Sequence, residues 1–428
     1  MAMNKHVITL IKVVLLTLMF WWVFTSINFH DRLNYKANKE SKTIVAEVVI
    51  TIQGHWNLDP VKYTVNDPRG ASDEGTKTVS RGKQDDGRYL EVAPGIFSYW
   101  GNLDPTLFGL GALCYFLTVI IAGVRWWWLL RVIGTDVSLF ETLRFTWIGV
   151  FFNAVMLGST GGDVIKALYI MKRCPGHRVP VLVSVGVDRI LGLGSLALLG
   201  AFAVLFAIDD FPVIAIGIWG VIAAVGLIGV IAFSKRLRER VRLKSLLNRV
   251  PAKFRSKLQM VDQAIFFYRD QRKMLIGSLA LGIANHVLSV CCVVLIGFAI
   301  GVGMPIFEYF VLVPVINIAS AVPIAPNGWG IGETMYGHLF GTHGAAHLVG
   351  DAAPFTAMYT RGVALSVLYR TVLTGFSLLA GALVFFEKDR VTQEDIDREV
   401  ATEEQEQEDA ASPPEEGDPP KSAPPATE

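Results

Sequence analysis

Residues 151–166 read FFNAVMLGSTGGDVIK. An apolar helix running from Ser138 to Leu157 stops at Gly158-Ser159-Thr160-Gly161-Gly162-Asp163 and restarts as Val164–Met171. A bilayer crossing takes about 20 apolar residues, and neither half reaches that length comfortably. A break inside hydrocarbon leaves N–H and C=O groups without partners. It persists only where protein encloses it or where it lines a wet cavity. A second apolar run, Phe307–Val322, breaks in the same way at Pro323-Ile324-Ala325-Pro326-Asn327-Gly328-Trp329-Gly330-Ile331-Gly332-Glu333, and a short helix, Thr334–Phe340, restarts beyond it. Two broken segments in an otherwise apolar chain predict a membrane protein with irregular backbone at membrane depth.

Composition agrees. Of 428 residues, 52% are apolar and 18% charged, whereas soluble domains carry about 25% charge. Mean hydropathy is +0.43. Val7–Ile27, Leu107–Ile133, Val181–Ile208, Val213–Phe233, Met274–Val302 and Gly362–Phe386 are read as full spans. The predicted fold class is an all-α polytopic membrane protein: about six full spans plus two re-entrant or broken helical hairpins, with a small β-rich extracytoplasmic insert. The insert is placed at 28–104, where Thr43–Gln53 is β-branched and partly alternating, as a strand requires. Within it Asn-Leu-Asp-Pro occurs at 57–60 and again at 102–105, each copy after a Trp, and is read as two similar turns. Residues 1–27 are expected to be an uncleaved anchor, because the apolar run is long and no small-residue cleavage site follows it. Residues 105–386 form the main membrane unit. The tail 387–428, with fifteen acids and four bases, is expected to be disordered and cytoplasmic.

The net charge of +1 conceals segregation: Ser234–Lys257 holds ten Lys/Arg and one Glu. This block, with Arg125/Arg131 and Lys172/Arg173/Arg178, marks the cytoplasmic side, and Asp209-Asp210 falls opposite. Both termini are then cytoplasmic and 28–104 extracytoplasmic. Eight plain spans satisfy the same parity but would put Lys172, Arg173 and Arg178 outside, so hairpins entering from opposite faces are preferred. The block 234–257 is read as lying on anionic lipid. No nucleic-acid motif accompanies it. No nucleotide, hydrolase or zinc signature occurs, and the four cysteines imply neither disulfides nor a metal site. The expectation is no cofactor and no metal.

The ionisable residues near the breaks are Asp163, Lys166, Asp188, Arg189 and Glu333. An intramembrane charge is costly and is usually paired or functional. Lys166, three residues after Asp163, shares its helix face. Asp188 and Arg189 are adjacent and need separate partners, read as Lys166 for Asp188, and Asp163 or a lipid phosphate for Arg189. Helix N-termini at the breaks can bind an anion, although Asp163 and Glu333 would also serve as plain caps. Arg361 and Arg370 are read as snorkelling, and Asn153, Asn285, His286 and Asn317 as helix–helix hydrogen bonders.

Phe151-Phe152-Asn153, Gly158–Asp163 with Lys166, and Asp188-Arg189 resemble motifs of the lysylphosphatidylglycerol synthase transmembrane-region family, also called flippase-like domain proteins. Pro323–Glu333 resembles the second motif of that family and Arg125-Trp126 the end of its early helix, so the similarity covers roughly residues 107–386. The resemblance implies an inner-membrane protein that handles lipid headgroups. In multidomain members this part is thought to flip aminoacylated phospholipid made by a separate soluble domain. The tail after Phe386 is too short and too acidic for such a domain, so the expectation is lipid translocation without synthase activity. Lys166 stands where an Arg is common, and 28–104 is not part of the family pattern. The candidate headgroup residues are Asn153, Gly161, Gly162, Asp163, Lys166, Asp188, Arg189, Asn327, Gly328, Gly330 and Glu333. Movement would be passive or ion-coupled, and the partner a phospholipid or lipid-linked substrate. Two alternatives stand beside this reading. One is a membrane transferase using Asp163 or Asp188 as base, and the other is an accessory scaffold that docks through 28–104 and the tail.

Overall fold

The computed structural model describes residues 21, 25, 28–38, 43–65, 75–155, 161–174, 177–206, 208–233, 268, 271–320, 329–348 and 354–386. Most of the anchor, the basic block 234–257, the tail, and the break residues 158–160 and 323–328 lie outside the described residues.

Among the described residues six antiparallel strands come before the long helices: β1 Asp31–Lys36, β2 Ile44–Ile52, β3 Val61–Val65, β4 Lys77–Val79, β5 Gly82–Lys83 and β6 Tyr89–Ala93, in the sheet order β4-β3-β2-β1-β6-β5. The β-branched run around residue 44 is therefore a strand, as its sequence predicts. Leu33, Ile50, Ile52, Val61, Leu90 and Val92 turn inward onto Trp56, Ile96 and Tyr99. Asp31 fastens the sheet to the short helix α1, Ile96–Gly101. Its carboxylate accepts hydrogen bonds from Ile52 N (2.9 Å), Gly95 N (2.7 Å) and Ser98 Oγ (2.8 Å). The two Asn-Leu-Asp-Pro copies differ in use. Asp59 belongs to a loop turn and accepts from Arg81 N, whereas Asp104 caps α2, Pro105–Val132, by accepting from Thr106 N and Leu107 N, with Pro105 in the first helical position.

The remaining helices are α3 Leu139–Val155, α4 Gly161–Arg173, α5 Arg178–Val204, α6 Pro212–Phe233, α7 Arg272–Ala299, α8 Ile306–Ser320, α9 Ile331–Leu339 and α10 Pro354–Phe386. Among the described residues four stretches are long and apolar enough to cross a membrane: Pro105–Val132, Arg178–Val204, Arg272–Ala299 and Pro354–Val384. Helix α6 is 22 residues long and carries no charge. The last helix begins at Pro354, eight residues before the Gly362 start expected from hydropathy, because Arg361 is accommodated inside it.

Helices α2 and α7 run antiparallel to one another. Asp104 N donates to Ala299 O (2.9 Å) where α2 begins and α7 ends. Tyr268 OH donates to Leu129 O (3.1 Å) at the opposite end. Gly111 lets α2 approach the Cys292 carbonyl, the close contact that small residues permit between apolar helices.

Helices α3 and α4 form one hairpin and α8 and α9 the other. Arg173, the last residue of α4, pairs with Glu141 in the first turn of α3 (3.1 Å), so the first hairpin returns to the end where it began. The second does likewise: His347 Nε2, just beyond α9, lies 2.5 Å from Glu308 Oε1 in the first turn of α8. The first hairpin opens where α2 finishes. The second opens at the sheet end, where α7 finishes. They enter the bundle from opposite ends.

The sheet docks on that second end. Arg361 of α10 donates from Nε to Tyr99 OH (3.1 Å) and from a terminal nitrogen to Val302 O (2.8 Å). Its guanidinium lies over the Trp56 and Tyr99 rings, 5.0 and 5.5 Å from their centroids. Trp100 Nε1 donates to Ala364 O. Arg361 is thus buried against the sheet rather than snorkelling. Both tryptophans that precede the Asp-Pro turns serve this contact.

Candidate functional site

In the first hairpin, α3 and α4 meet closely enough that a methyl on Gly162 would sit 1.9 Å from Gly149 O. Only glycine fits there. Asn153 Oδ1 accepts from Gly162 N (2.9 Å) and so satisfies one of the open donors at the start of α4. The Asp163 carboxylate faces the bundle and takes two cations, Lys166 Nζ at 2.9 Å on the same helix and Arg189 Nε from α5.

The pairing continues inward. Lys166 Nζ is 3.8 Å from Asp188 Oδ2 and 4.5 Å from the Trp126 ring centroid. Arg125 Nε of α2 donates to Asp188 Oδ1 at 2.7 Å. Cations and carboxylates alternate in the order Arg189, Asp163, Lys166, Asp188, Arg125, across α5, α4 and α2. Four of the five side chains are about nine-tenths buried, but Arg189 is 38% exposed. Buried charges survive by such mutual pairing. The expected partner of Asp188, Lys166, is the more distant one. Arg125, read from sequence as a boundary residue, is the nearer.

The second hairpin carries a smaller arrangement. Gly330 adopts φ +83° and donates its N–H to Glu333 Oε2 (2.6 Å). Glu333 is therefore a cap, as one reading of the sequence had it. It is also paired: Arg370 Nε of α10 donates to Glu333 Oε1 at 2.5 Å, and Ser366 Oγ donates to the same oxygen at 3.3 Å. The Arg370 guanidinium lies 5.3 Å from the Trp329 ring centroid. Both partners are buried, so Arg370 does not snorkel.

The structure thus gathers Asn153, Gly162, Asp163, Lys166, Asp188 and Arg189 at one hairpin, with Gly161 opening α4, and Gly330 and Glu333 at the other. Asn327 and Gly328 fall outside the described residues. Arg125, Arg370, Ser366 and Trp126 are the members that sequence reasoning missed. Arg125 lies two turns inside α2 and Arg370 near the middle of α10, and that depth is the signal by which a buried partner could have been inferred. Of the lone polar residues, His286 Nε2 lies 3.0 Å from Gly192 O across α5 and α7, a helix–helix contact of the expected kind. Among the described residues no group of three or more His, Cys, Asp or Glu could hold a metal ion.

A family model described as the lysylphosphatidylglycerol synthase TM region matches residues 96–381. The chain belongs to that family. The match takes in both hairpins and both ion-pair clusters and begins at Ile96, after the last strand, so the sheet lies outside the family region. A UPF0104 membrane protein of Pyrococcus horikoshii is 30% identical over 143 residues, 32% of this chain. The chain spans 42% of the length of that curated relative. No solved structure matches. Family membership and the apolar helices together make this a multi-pass membrane protein.

Proposed function

We propose that this protein admits the headgroup of a phospholipid or lipid-linked substrate between its two hairpins and moves it across the cell inner membrane. The observation that carries the reading is the alternating cluster at the tip of the first hairpin. A chain of five charges, four of them buried, is costly in a membrane protein unless it has work to do. Its one exposed member, Arg189, offers the planar donor fork suited to a phosphate. In this reading six segments cross fully and both hairpins are re-entrant. The termini and 234–257 face the cytoplasm, with 234–257 on anionic lipid, and 28–104 lies outside. The domain boundaries are 1–27, 28–104, 105–386 and 387–428.

A transferase is the weaker reading, because no donor-binding motif accompanies Asp163 and Asp188, and both carboxylates are occupied by cations. Proteoliposomes carrying a headgroup-labelled phospholipid test the proposal. Protein-dependent flipping that falls when Arg189→Gln and Asp163→Asn are combined is the expected result. Equal rates in the double variant and the wild type would remove the cluster from the mechanism.

A further inference from the structure

The second helices of the two hairpins open on a shared plan. In α4 the first three residues are Gly161-Gly162-Asp163, and in α9 they are Ile331-Gly332-Glu333. The second residue is glycine in each, and each approaches a neighbour too closely for a side chain. At Gly162 the neighbour is Gly149 O, and at Gly332 it is the Arg370 guanidinium, 2.2 Å from where a methyl would sit. The third residue is a carboxylate, held by an arginine of the next long helix: Arg189 of α5 for Asp163, Arg370 of α10 for Glu333. Three residues further on the plan departs. The first hairpin has Lys166 and the second has Tyr336.

That exchange changes what each carboxylate can release. Asp163 is met by two cations. If Arg189 swings away to another anion, Lys166 at 2.9 Å still neutralises Asp163. Among the described residues Glu333 is met by one cation, with the Gly330 N–H and the Ser366 hydroxyl as its other donors. If Arg370 moved to another anion, the buried Glu333 carboxylate would be left with only neutral donors, which is strongly unfavourable. Exposure points the same way. Arg189 is 38% exposed, whereas Arg370 is 6% exposed and its guanidinium lies near Trp329.

We infer that the two hairpins have different tasks: the first binds the phosphate of an anionic phospholipid headgroup, with Arg189 transferring to it from Asp163, and the second is a latch whose Glu333–Arg370 pair binds no headgroup. The inference rests on the lipid-headgroup reading above and refines it, since Gly330 and Glu333 then leave the list of binding residues. Lys166 becomes a positioning residue. It holds Asp163 neutralised while Arg189 is engaged.

The test uses the full chain in detergent and titrates short-chain phosphatidylglycerol by calorimetry, with inorganic phosphate as a second ligand. Arg189→Gln should weaken lipid binding by about tenfold or more, the loss expected for a charge-assisted hydrogen bond. Arg189→Lys should recover part of it. Removing the latch pair as a unit, Glu333→Leu with Arg370→Met, leaves no unpaired charge among the described residues and should keep affinity within about threefold of wild type, a difference of roughly 0.7 kcal/mol. Equal losses in the latch variant and in Arg189→Gln, with both proteins eluting as folded monodisperse species, would overturn the division of tasks but leave the lipid reading standing. Binding of neither ligand by the wild type would overturn both. Phosphate binding as tightly as the lipid, with the same dependence on Arg189, would support the anion site and overturn a lipid as its source.

Discussion

Arg125 Nε donates to Asp188 Oδ1 across 2.7 Å, joining α2 to α5 deep in the bundle. A second guanidinium nitrogen of Arg125 reaches the Asp188 carbonyl oxygen at 3.3 Å, so the arginine also satisfies backbone. Around it the helices carry Gly192 and Gly282, where a methyl would lie 3.3 and 3.2 Å from the guanidinium. These glycines leave room for the Arg125 side chain and, at Gly282, for Ser195, which a methyl would approach to 2.1 Å. Breaking a buried pair from one side is costly, whereas replacing both partners with apolar groups is often tolerated. Arg125→Ala should therefore destabilise the protein by about 3–5 kcal/mol. Arg125→Met combined with Asp188→Leu should cost less than half as much, because Lys166 keeps Asp163. Thermal unfolding of the purified variants in detergent measures both, and a fully additive double-mutant cycle would mean the two residues do not interact.

Glycine placement gives a sharper contrast. Gly162→Ala would force a methyl to 1.9 Å from Gly149 O, a backbone atom that cannot rotate away. The hairpin would have to open, at a cost of about 3 kcal/mol or more. Gly186, inside α5, has nothing within 4 Å of the same methyl. Gly186→Ala should leave stability unchanged or raise it by up to about 1 kcal/mol, the usual helix-interior difference. Expression and thermal stability of the two variants side by side decide the matter. A fall for Gly186→Ala comparable to that for Gly162→Ala would contradict the packing described.

The two hairpins are marked in the sequence because glycine and proline interrupt apolar periodicity, and the strand around Ile50 because β-branching is a local property. The assignment of partners was legible only in part. Lys166 and Asp163 are three residues apart, so helix geometry pairs them directly. Arg370 and Glu333 are 37 residues apart and Arg361 and Tyr99 are 262 apart, and no local rule brings them together. Arg125 was misread for a physical reason. It stands in Arg125-Trp126-Trp127-Trp128-Leu129-Leu130-Arg131, a pattern that suits a membrane boundary. In the structure, however, Trp126 turns inward, with Nε1 donating to Ser184 Oγ, and takes Arg125 into the core with it. The start of α10 was set too late for a related reason: an arginine read as a flank is buried when tyrosine and tryptophan rings come from another unit of the chain.

Those rings make the docking of the sheet testable. Arg361→Ala removes two hydrogen bonds and two ring contacts from the joint between α10, Tyr99, Trp56 and Val302. Charge-assisted hydrogen bonds contribute about 1.5–3 kcal/mol each and cation–π contacts about 0.5–2. The loss should reach about 2–4 kcal/mol after partial compensation. Tyr99→Phe keeps the ring and deletes the acceptor, so its effect should be nearer 1 kcal/mol. Limited proteolysis reads the outcome: the sheet should be released faster from Arg361→Ala than from Tyr99→Phe, and faster from either than from the wild type. Cleavage of Arg361→Ala at the wild-type rate would show that the sheet is held by other contacts.

The pair that closes the first hairpin should behave differently from those at its tip. Arg173 and Glu141 are 3.1 Å apart, but the arginine side chain is 58% exposed and Glu141 24%. Water screens such a pair, and ordering two long side chains offsets much of its attraction. Exposed pairs contribute about 0.2–1 kcal/mol, less at high salt. Arg173→Ala should thus lower stability only slightly, and the difference from wild type should shrink further in 1 M salt. Ser138 already caps α3 by accepting from Glu141 N, and Glu141 Oε2 accepts in return from Ser138 N and Oγ. That reciprocal box holds Glu141 in place without the arginine. Ser138→Ala, which breaks the box, should therefore cost about 1 kcal/mol, more than Arg173→Ala. Thermal melts of both variants at low and high salt separate the two contributions. A larger, salt-insensitive loss for Arg173→Ala would mean that the mouth of the hairpin is held by the ion pair rather than by its cap.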